Sequence, residues 1–294
     1  MDANPVLCDL SLVRMQARRR RDRGELVLKG LMLFATLAIL GLLVWILAWV
    51  VINGLGVISF DFVFSSEGNG IFPMLVTTAW LVLISLLVAL PVGITTAIYL
   101  NEYSKNTRPV RLLRLAIETL AGIPSILYGL FGLLFFCRVL GFGQSIIAGA
   151  LTLSIMILPV IIRTTEESLK TIPLAFREGS LALGTTRWQT IRHVVLPSAF
   201  PGIVTASILA IGRVVGEAAP VLLTVGIAKN LPSGIFQSGR TLTIHLYYLT
   251  KEAIHADDFK TAFATATILV LFVLVVNAAT RFFASKLSVN RGIS

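Results

Sequence analysis

Between residues 194 and 228 the chain is apolar or uncharged at every position but two, Arg213 and Glu217. A charge at bilayer depth costs about 2.5–3.5 kcal/mol on insertion scales, and such residues usually face a bundle interior or an aqueous path. If the stretch is one helix, the spacing of four puts both side chains on one face. Two readings follow. The pair is a structural salt bridge that holds helices together, or it is a transport site. Arginine suits an oxyanion because its planar fork donates paired hydrogen bonds and keeps its charge. In the second reading Arg213 is a positive foothold for an anion. Glu217 competes for the same guanidinium and so prevents trapping, since a conduit must release what it binds. Arg163 closes another apolar run. It either lines the exit of the same path or snorkels to the interface. Glu166 and Glu167, one turn on, are partners for Arg163 or Lys170, and Glu118 reads as an interfacial or pairing residue.

No rival chemistry is visible. There is no GxxxxGK[ST] sequence and no Gly-Lys dipeptide, so the chain lacks a phosphate-cradling loop. HExxH and GxSxG are absent and no histidine falls inside a span, which leaves an intramembrane enzyme without a nucleophile or metal cluster. His245 and His255 lie ten apart with no acidic residue at ligand spacing, so no metal and no cofactor is expected. His193 reads as a solvated surface residue. Cys8 and Cys137 show no motif spacing.

The elements that must position Arg213 follow from composition. Of 294 residues, 56% are hydrophobic and 14% charged, with a mean hydropathy of +0.87. Soluble domains carry about 25% charged residues. Disorder, a disulfide scaffold and a secreted soluble enzyme are excluded. Uncharged runs at 31–52, 72–100, 119–137, 139–162 and 194–212, and a last at 262–280, predict six transmembrane helices. The third and fourth are joined by a tight turn holding Arg138, Gly141 and Gly143. Runs of this length predict an all-α integral membrane bundle rather than a barrel. The first span reads as a signal anchor, because it is longer than the apolar core of a signal peptide and no cleavage site follows. Pro91, Pro124 and Pro159 permit kinks, and Gly129, Gly132, Gly212 and Gly216 offer close-approach surfaces.

The net charge of +10 is distributed asymmetrically. With the N-terminus inside, 19 Lys and Arg face the cytoplasm and 5 face out, with Arg213 left over in the membrane. Both termini are therefore expected to be cytoplasmic. The RRRRDR run at 18–23 lacks the interleaved aromatics of a nucleic-acid binder and reads as a topogenic, lipid-facing stretch. The expected organisation is a basic segment 1–30, a first helix 31–52, a permease domain 70–285 and a tail 286–294. Within the domain lie a hairpin at 170–197 and an outer loop at 229–260. In that loop, IHLYYLTKEA (244–253) is expected to lie as a helix on the outer face.

The hairpin carries a pattern. Pro173 ends the fourth helix. Residues 174–183 have helical propensity and end at Gly184, a helix C′ residue. Thr185 or Thr186 caps a second short helix, and Pro197 marks entry to the fifth span. Glu178-Gly179-Ser180, three residues, Gly184, nine residues, then Val194-x-Leu196-Pro197 resembles the EAA loop of ABC importer permeases, with every spacing matched. The segments ETLAGIPSILYGLFG (118–132), LPVIIRTTEESLKTIP (158–173) and ILAIGRVVGEAAPVLLTVG (208–226) narrow the resemblance to the PstA-type permeases of phosphate importers, over roughly residues 70–285. AIYLNEY (97–103) and the short outer loop after the first span favour that type over the related PstC-type subunit.

The resemblance implies a type I importer bundle in a bacterial inner membrane, moving inorganic phosphate. It implies a PstC-type partner permease, a PstB-type ATPase dimer docked on the hairpin and a PstS-type binding protein outside, which the outer loop would meet. Among the residues it implicates is an intramembrane arginine, which matches Arg213. A permease for another oxyanion, or the PstC-type subunit itself, are the alternatives. A passive membrane scaffold would explain the hydrophobicity but neither the hairpin spacing nor Arg213 and Glu217.

Overall fold

The computed structural model describes residues 5–66, 70–104, 107–252 and 256–289. Lys105, His255, Arg291 and the end of the tail beyond residue 289 lie outside them. All regular structure among the described residues is helical. The chain divides into two units, Met1–Asn53 and Gly54–Ser294. In the first, the basic segment and the first span share one helix, α1 (Pro5–Leu55), whose stretch Val27–Leu55 is long and apolar enough to cross a membrane.

The second unit begins with α2 (Phe60–Phe64), capped by the Ser59 hydroxyl, which accepts from Phe62 N–H at 3.1 Å. Four more helices of spanning length follow. They are α3 (Phe72–Ile98) with its π-helical end Tyr99–Tyr103, α6 (Ile146–Lys170), the stretch Arg187–Gly216 ending in α9 (Leu196–Gly216), and α12 (Ala256–Val289). Before α9, α7 (Leu174–Ala182) and α8 (Arg187–Thr190) form the hairpin, with a π turn, Ile191–Val195, between α8 and α9. After it come α10 (Ala219–Thr224) and α11 (Leu242–Glu252).

The third span differs from its sequence reading. The apolar run at 119–137 is broken: α4 (Arg108–Gly122) and α5 (Ser125–Gly132, continued as a π turn through Val139) meet at 101° around Ile123 and Pro124. Pro124 cannot donate a helical hydrogen bond, and Ile123 before it sits in extended backbone (φ −72°, ψ 131°). Among the described residues there are thus five unbroken candidate spans, or six if the bent pair counts as one. Pro91 and Pro159, by contrast, lie inside continuous helices.

α6 is the centre of the unit. Leu153, Met156, Ile157 and Ile161 are buried on it, against Leu81 and Ala89 of α3 and Ala210 and Val214 of α9. Apolar side chains gain little by leaving lipid, so close approach and interhelical hydrogen bonds carry the packing. Ser85 donates to the Ala150 carbonyl at 3.2 Å and Ser154 to the Ser85 carbonyl at 3.1 Å. A Cβ on Gly93 would lie 2.6 Å from Ile161 Cγ2. The bent arm closes in the same way: a Cβ on Gly129 would lie 2.7 Å from Pro220 Cα, so α5 and α10 touch backbone to backbone. Gly132 is equally crowded, against Thr152 and Thr224. Gly212 and Gly216 are not: an added Cβ there meets nothing within 4 Å.

Candidate functional site

Arg213 is in the last turn of α9, and Glu217 lies just beyond that helix. The two therefore do not share a continuous helix face. α9 stops at Gly216, and Glu217 is in extended backbone (φ −76°, ψ 129°). The cause is Pro220, which has no N–H to give the Gly216 carbonyl four residues back and whose ring crowds that carbonyl. The pair still forms across the break, with Arg213 Nε 3.6 Å from Glu217 Oε1 and side chains 33% and 17% exposed. That distance is longer than a hydrogen bond. Arg213 and Tyr128 of α5 are close enough to interact electrostatically, and the Tyr128 hydroxyl donates to the Leu120 carbonyl at 2.6 Å across the bend. The site thus sits where two breaks meet, the α4–α5 bend and the α9–α10 gap. Beside it, Gly212 and Gly216 leave one face of α9 open.

Arg163 takes Glu118 of α4 as its partner, at 3.8 Å, with side chains 47% and 63% exposed. Glu166 does not pair with Arg163. It is buried on α6 between Lys170, at 2.9 Å, and Arg114, whose Nη1 donates to it. The structure thus separates long pairs (Arg213–Glu217, Arg163–Glu118) from short ones made to the buried Glu166 carboxylate.

The hairpin forms from its local signals. α6 ends at Lys170 and Pro173 precedes α7. Gly184 follows α7 with φ +83°, a left-handed turn that side-chain-bearing residues rarely adopt. Thr186, rather than Thr185, caps α8 in a capping box with Gln189. Thr185 is used internally: its hydroxyl lies 2.9 Å from those of Ser180 and Thr190. Glu178 and Gly179 are exposed, Ser180 is half-buried, and Val194, Leu196 and Pro197 are half-buried where the π turn enters α9. Leu174, Phe176, Leu183 and Trp188 stand exposed around the turn.

A further ion pair joins the hairpin to the end of α3. Arg177 of α7 binds Glu102 in the π turn after α3, with both side chains largely shielded, 15% and 12% exposed. Its partners are 75 positions apart, so no local spacing announces it.

At the other end of the bundle, the segment between α10 and α11 is stitched to the start of α6. Ser145 N–H donates to the Thr224 carbonyl at 2.9 Å, Ile146 N–H to Gln237 at 3.0 Å and Ile147 N–H to Ile235 at 2.9 Å. Arg240 is buried there, with Nε donating to the Ile227 carbonyl at 3.0 Å and its guanidinium 4.8 Å from the Tyr248 ring. His245 is buried beside it, and its Nδ1 has no hydrogen-bond partner. Burial, then the charges of Arg240 and Lys229, push its pKa down from 6.5 to about 4. The sign follows directly. The unfolded chain takes up a proton near pH 6.5 and the folded chain only near pH 4, so stability present above pH 6.5 is lost as pH falls towards 4. The loss reaches about 3 kcal/mol for a shift of that size. Thermal unfolding of the purified protein should drop across this window, and His245→Gln should flatten the drop; an unchanged slope would reject the assignment. No group of three or more metal-ligating side chains occurs among the described residues.

Residues 89–289 match the family described as "Binding-protein-dependent transport system inner membrane component", and the chain belongs to it. It is 36% identical to "Probable ABC transporter permease protein YqgI" of Bacillus subtilis, over 83% of this chain and 89% of that protein. It is 35% identical to "Phosphate transport system permease protein PstA" of Mycobacterium leprae, over 91% of each. In fold it is similar to a chain of a bacterial alginate ABC transporter crystallised with its alginate pentasaccharide-bound periplasmic protein. The TM-score there is 0.68 at 15% identity, covering 90% of this chain and 96% of that one.

Proposed function

We propose that the chain is a permease subunit of an ATP-driven importer of inorganic phosphate. The observation that carries this reading is the end-to-end likeness to a phosphate permease, at 35% identity over 91% of both chains. The site is consistent with that substrate. Arg213 offers a fixed positive fork, and Glu217, at 3.6 Å, neutralises it without locking it in a hydrogen bond. An incoming phosphate, carrying about −1.5 to −2 by analogy with phosphoryl groups, displaces the carboxylate. The carboxylate's return helps expel it. Arg163, equally loosely paired with Glu118, serves the exit end.

The open face of α9 at Gly212 and Gly216 is where a homologous PstC-type subunit closes the path. The hairpin, with its exposed Phe176, Leu183 and Trp188, docks a PstB-type ATPase dimer, since the chain has no nucleotide-cradling loop. The opposite end receives a PstS-type binding protein, and the sequence's 19-to-5 split of Lys and Arg supports a cytoplasmic location for both termini.

The test is reconstitution in proteoliposomes with the partner permease, the ATPase and the binding protein. ATP-dependent uptake of radiolabelled phosphate is expected. Uptake of molybdate or phosphonate in its place would overturn the substrate.

A further inference from the structure

α7 buries none of its residues, so apolar packing does not fix it to the membrane helices. Polar contacts tie it to them: the Ser180 hydroxyl lies 3.0 Å from that of Thr190, in the stretch that runs into α9, and Arg177 reaches α3 and α6. The Arg177 Nε donates to Glu102 Oε1 and Oε2 at 3.2 and 3.3 Å, and Nη2 donates to Oε1 at 2.9 Å. Nη2 also donates to the Leu169 carbonyl at 2.8 Å, and Nη1 to the Ile172 carbonyl at 2.8 Å. One guanidinium thus joins three elements: the hairpin, the π turn ending α3 and the last turn of α6. Asn101 Nδ2 donates to the same carboxylate at 2.7 Å. A cavity of about 180 Å³ bounded by Glu102, Arg177, Leu181, Arg187, Thr190 and Ile191 lies beside the pair, so side-chain packing does not bridge that gap.

The same π turn is held from its other side. Arg114 of α4 donates from Nη2 to the Leu100 carbonyl at 3.3 Å and from Nη1 to Glu166 of α6. Tyr99–Tyr103 is therefore clamped between two arginines, each of which also reaches α6. Beyond the clamp α3 and α6 cannot shift freely against each other, because of the Gly93–Ile161 contact and the Ser85 and Ser154 hydrogen bonds. A fully hydrogen-bonded, shielded ion pair holds one geometry, and breaking it leaves an unpaired charge.

We propose that the Glu102–Arg177 pair is the link through which displacement of the hairpin reaches α3 and α6, and through them the Arg213 end of the path. Both are positioning residues: neither touches substrate or nucleotide. The proposal rests on the reading of the hairpin as the ATPase dock.

The experiment measures ATP hydrolysed per phosphate imported, with ATPase retention, in the full reconstituted complex. Glu102→Gln should keep the ATPase bound and hydrolysing while the ratio rises at least tenfold. Glu102→Gln combined with Arg177→Gln should be no worse than either alone, because both break one link. A wild-type ratio in Glu102→Gln overturns the link and leaves the dock standing. A multiplicative double variant also overturns it. Retention of the ATPase by Gly184→Trp would overturn the dock, and the link with it. If Glu102→Gln fails to assemble, Glu102→Asp, which keeps the charge and shortens the arm, is read the same way: a ratio raised severalfold supports the link and a wild-type ratio overturns it.

Discussion

Arg213→Gln should reduce phosphate uptake by about 100-fold while the complex still assembles. A hydrogen bond to a charged group is worth about 1.5–3 kcal/mol, and a paired fork on an oxyanion makes two. The loss of one such bond already corresponds to about 10- to 150-fold in rate. Glutamine keeps a donor and most of the length but not the charge. Assembly should survive, because the pair is long (3.6 Å) and partly exposed, unlike the shielded Glu102–Arg177 pair at the hairpin. Glu217→Gln supplies the contrast. It leaves the foothold and removes only its competitor, so the maximal rate should fall less than in Arg213→Gln. If the pair serves only to hold helices, the two substitutions are equivalent, since either breaks it. Equal defects, or wild-type uptake by Arg213→Gln, would refute the transport role.

Gly184→Trp should abolish co-purification of the ATPase while the chain remains in the membrane. Two effects combine. The backbone at Gly184 has φ +83°, and a left-handed conformation costs a residue with a side chain about 1–2 kcal/mol. A Cβ at Gly184 meets nothing within 4 Å, so the indole projects outward from the turn, towards whatever docks there. Gly184→Asn separates the two, because asparagine tolerates the left-handed region and adds little bulk. It should retain most ATPase binding, measured by pull-down from solubilised membranes. Equal loss with Asn and Trp would point to turn geometry rather than bulk. Full retention with Trp would remove the hairpin from the interface.

Much of this architecture is legible in the sequence, and the exceptions have physical causes. α3, α6, α9 and α12 follow from uncharged length alone, because lipid leaves the backbone no other solution. The hairpin is legible because its determinants are local: Pro173, Gly184 and Thr186 act within a turn of where they stand. The run at 119–137 misleads, because apolar count is blind to direction. Only Pro124 carries the 101° bend, and Pro91 and Pro159, the same residue type, do not bend their helices that far. The end of α9 is signalled by Pro220, four residues after Gly216, but the single charge between them, Glu217, reads more strongly as a partner for Arg213. Arg213 stands out as a lone cation in an apolar run. Arg177 does not, because it is one basic residue among many at that end and its acid lies in another helix. Gly129 and Gly132 are used inside the chain, whereas Gly212 and Gly216 present an open face; composition treats all four alike.

The π turn at Ile191–Val195 also bears on which sequence changes the chain can accept. A π turn holds one residue more than the α-helical turn it replaces. Removing one residue there would let α8 run into α9 as a plain α-helix, with the direction and height of all that follows nearly unchanged, because the π turn already absorbs the extra residue. Arg213 would keep its direction, whereas the same deletion inside the plain helix between the π turn and Arg213 would turn it by about 100°. The π turn between the hairpin and α9 is therefore a place where a one-residue change of length is taken up locally, so the hairpin can be remodelled without re-aiming the far end of α9.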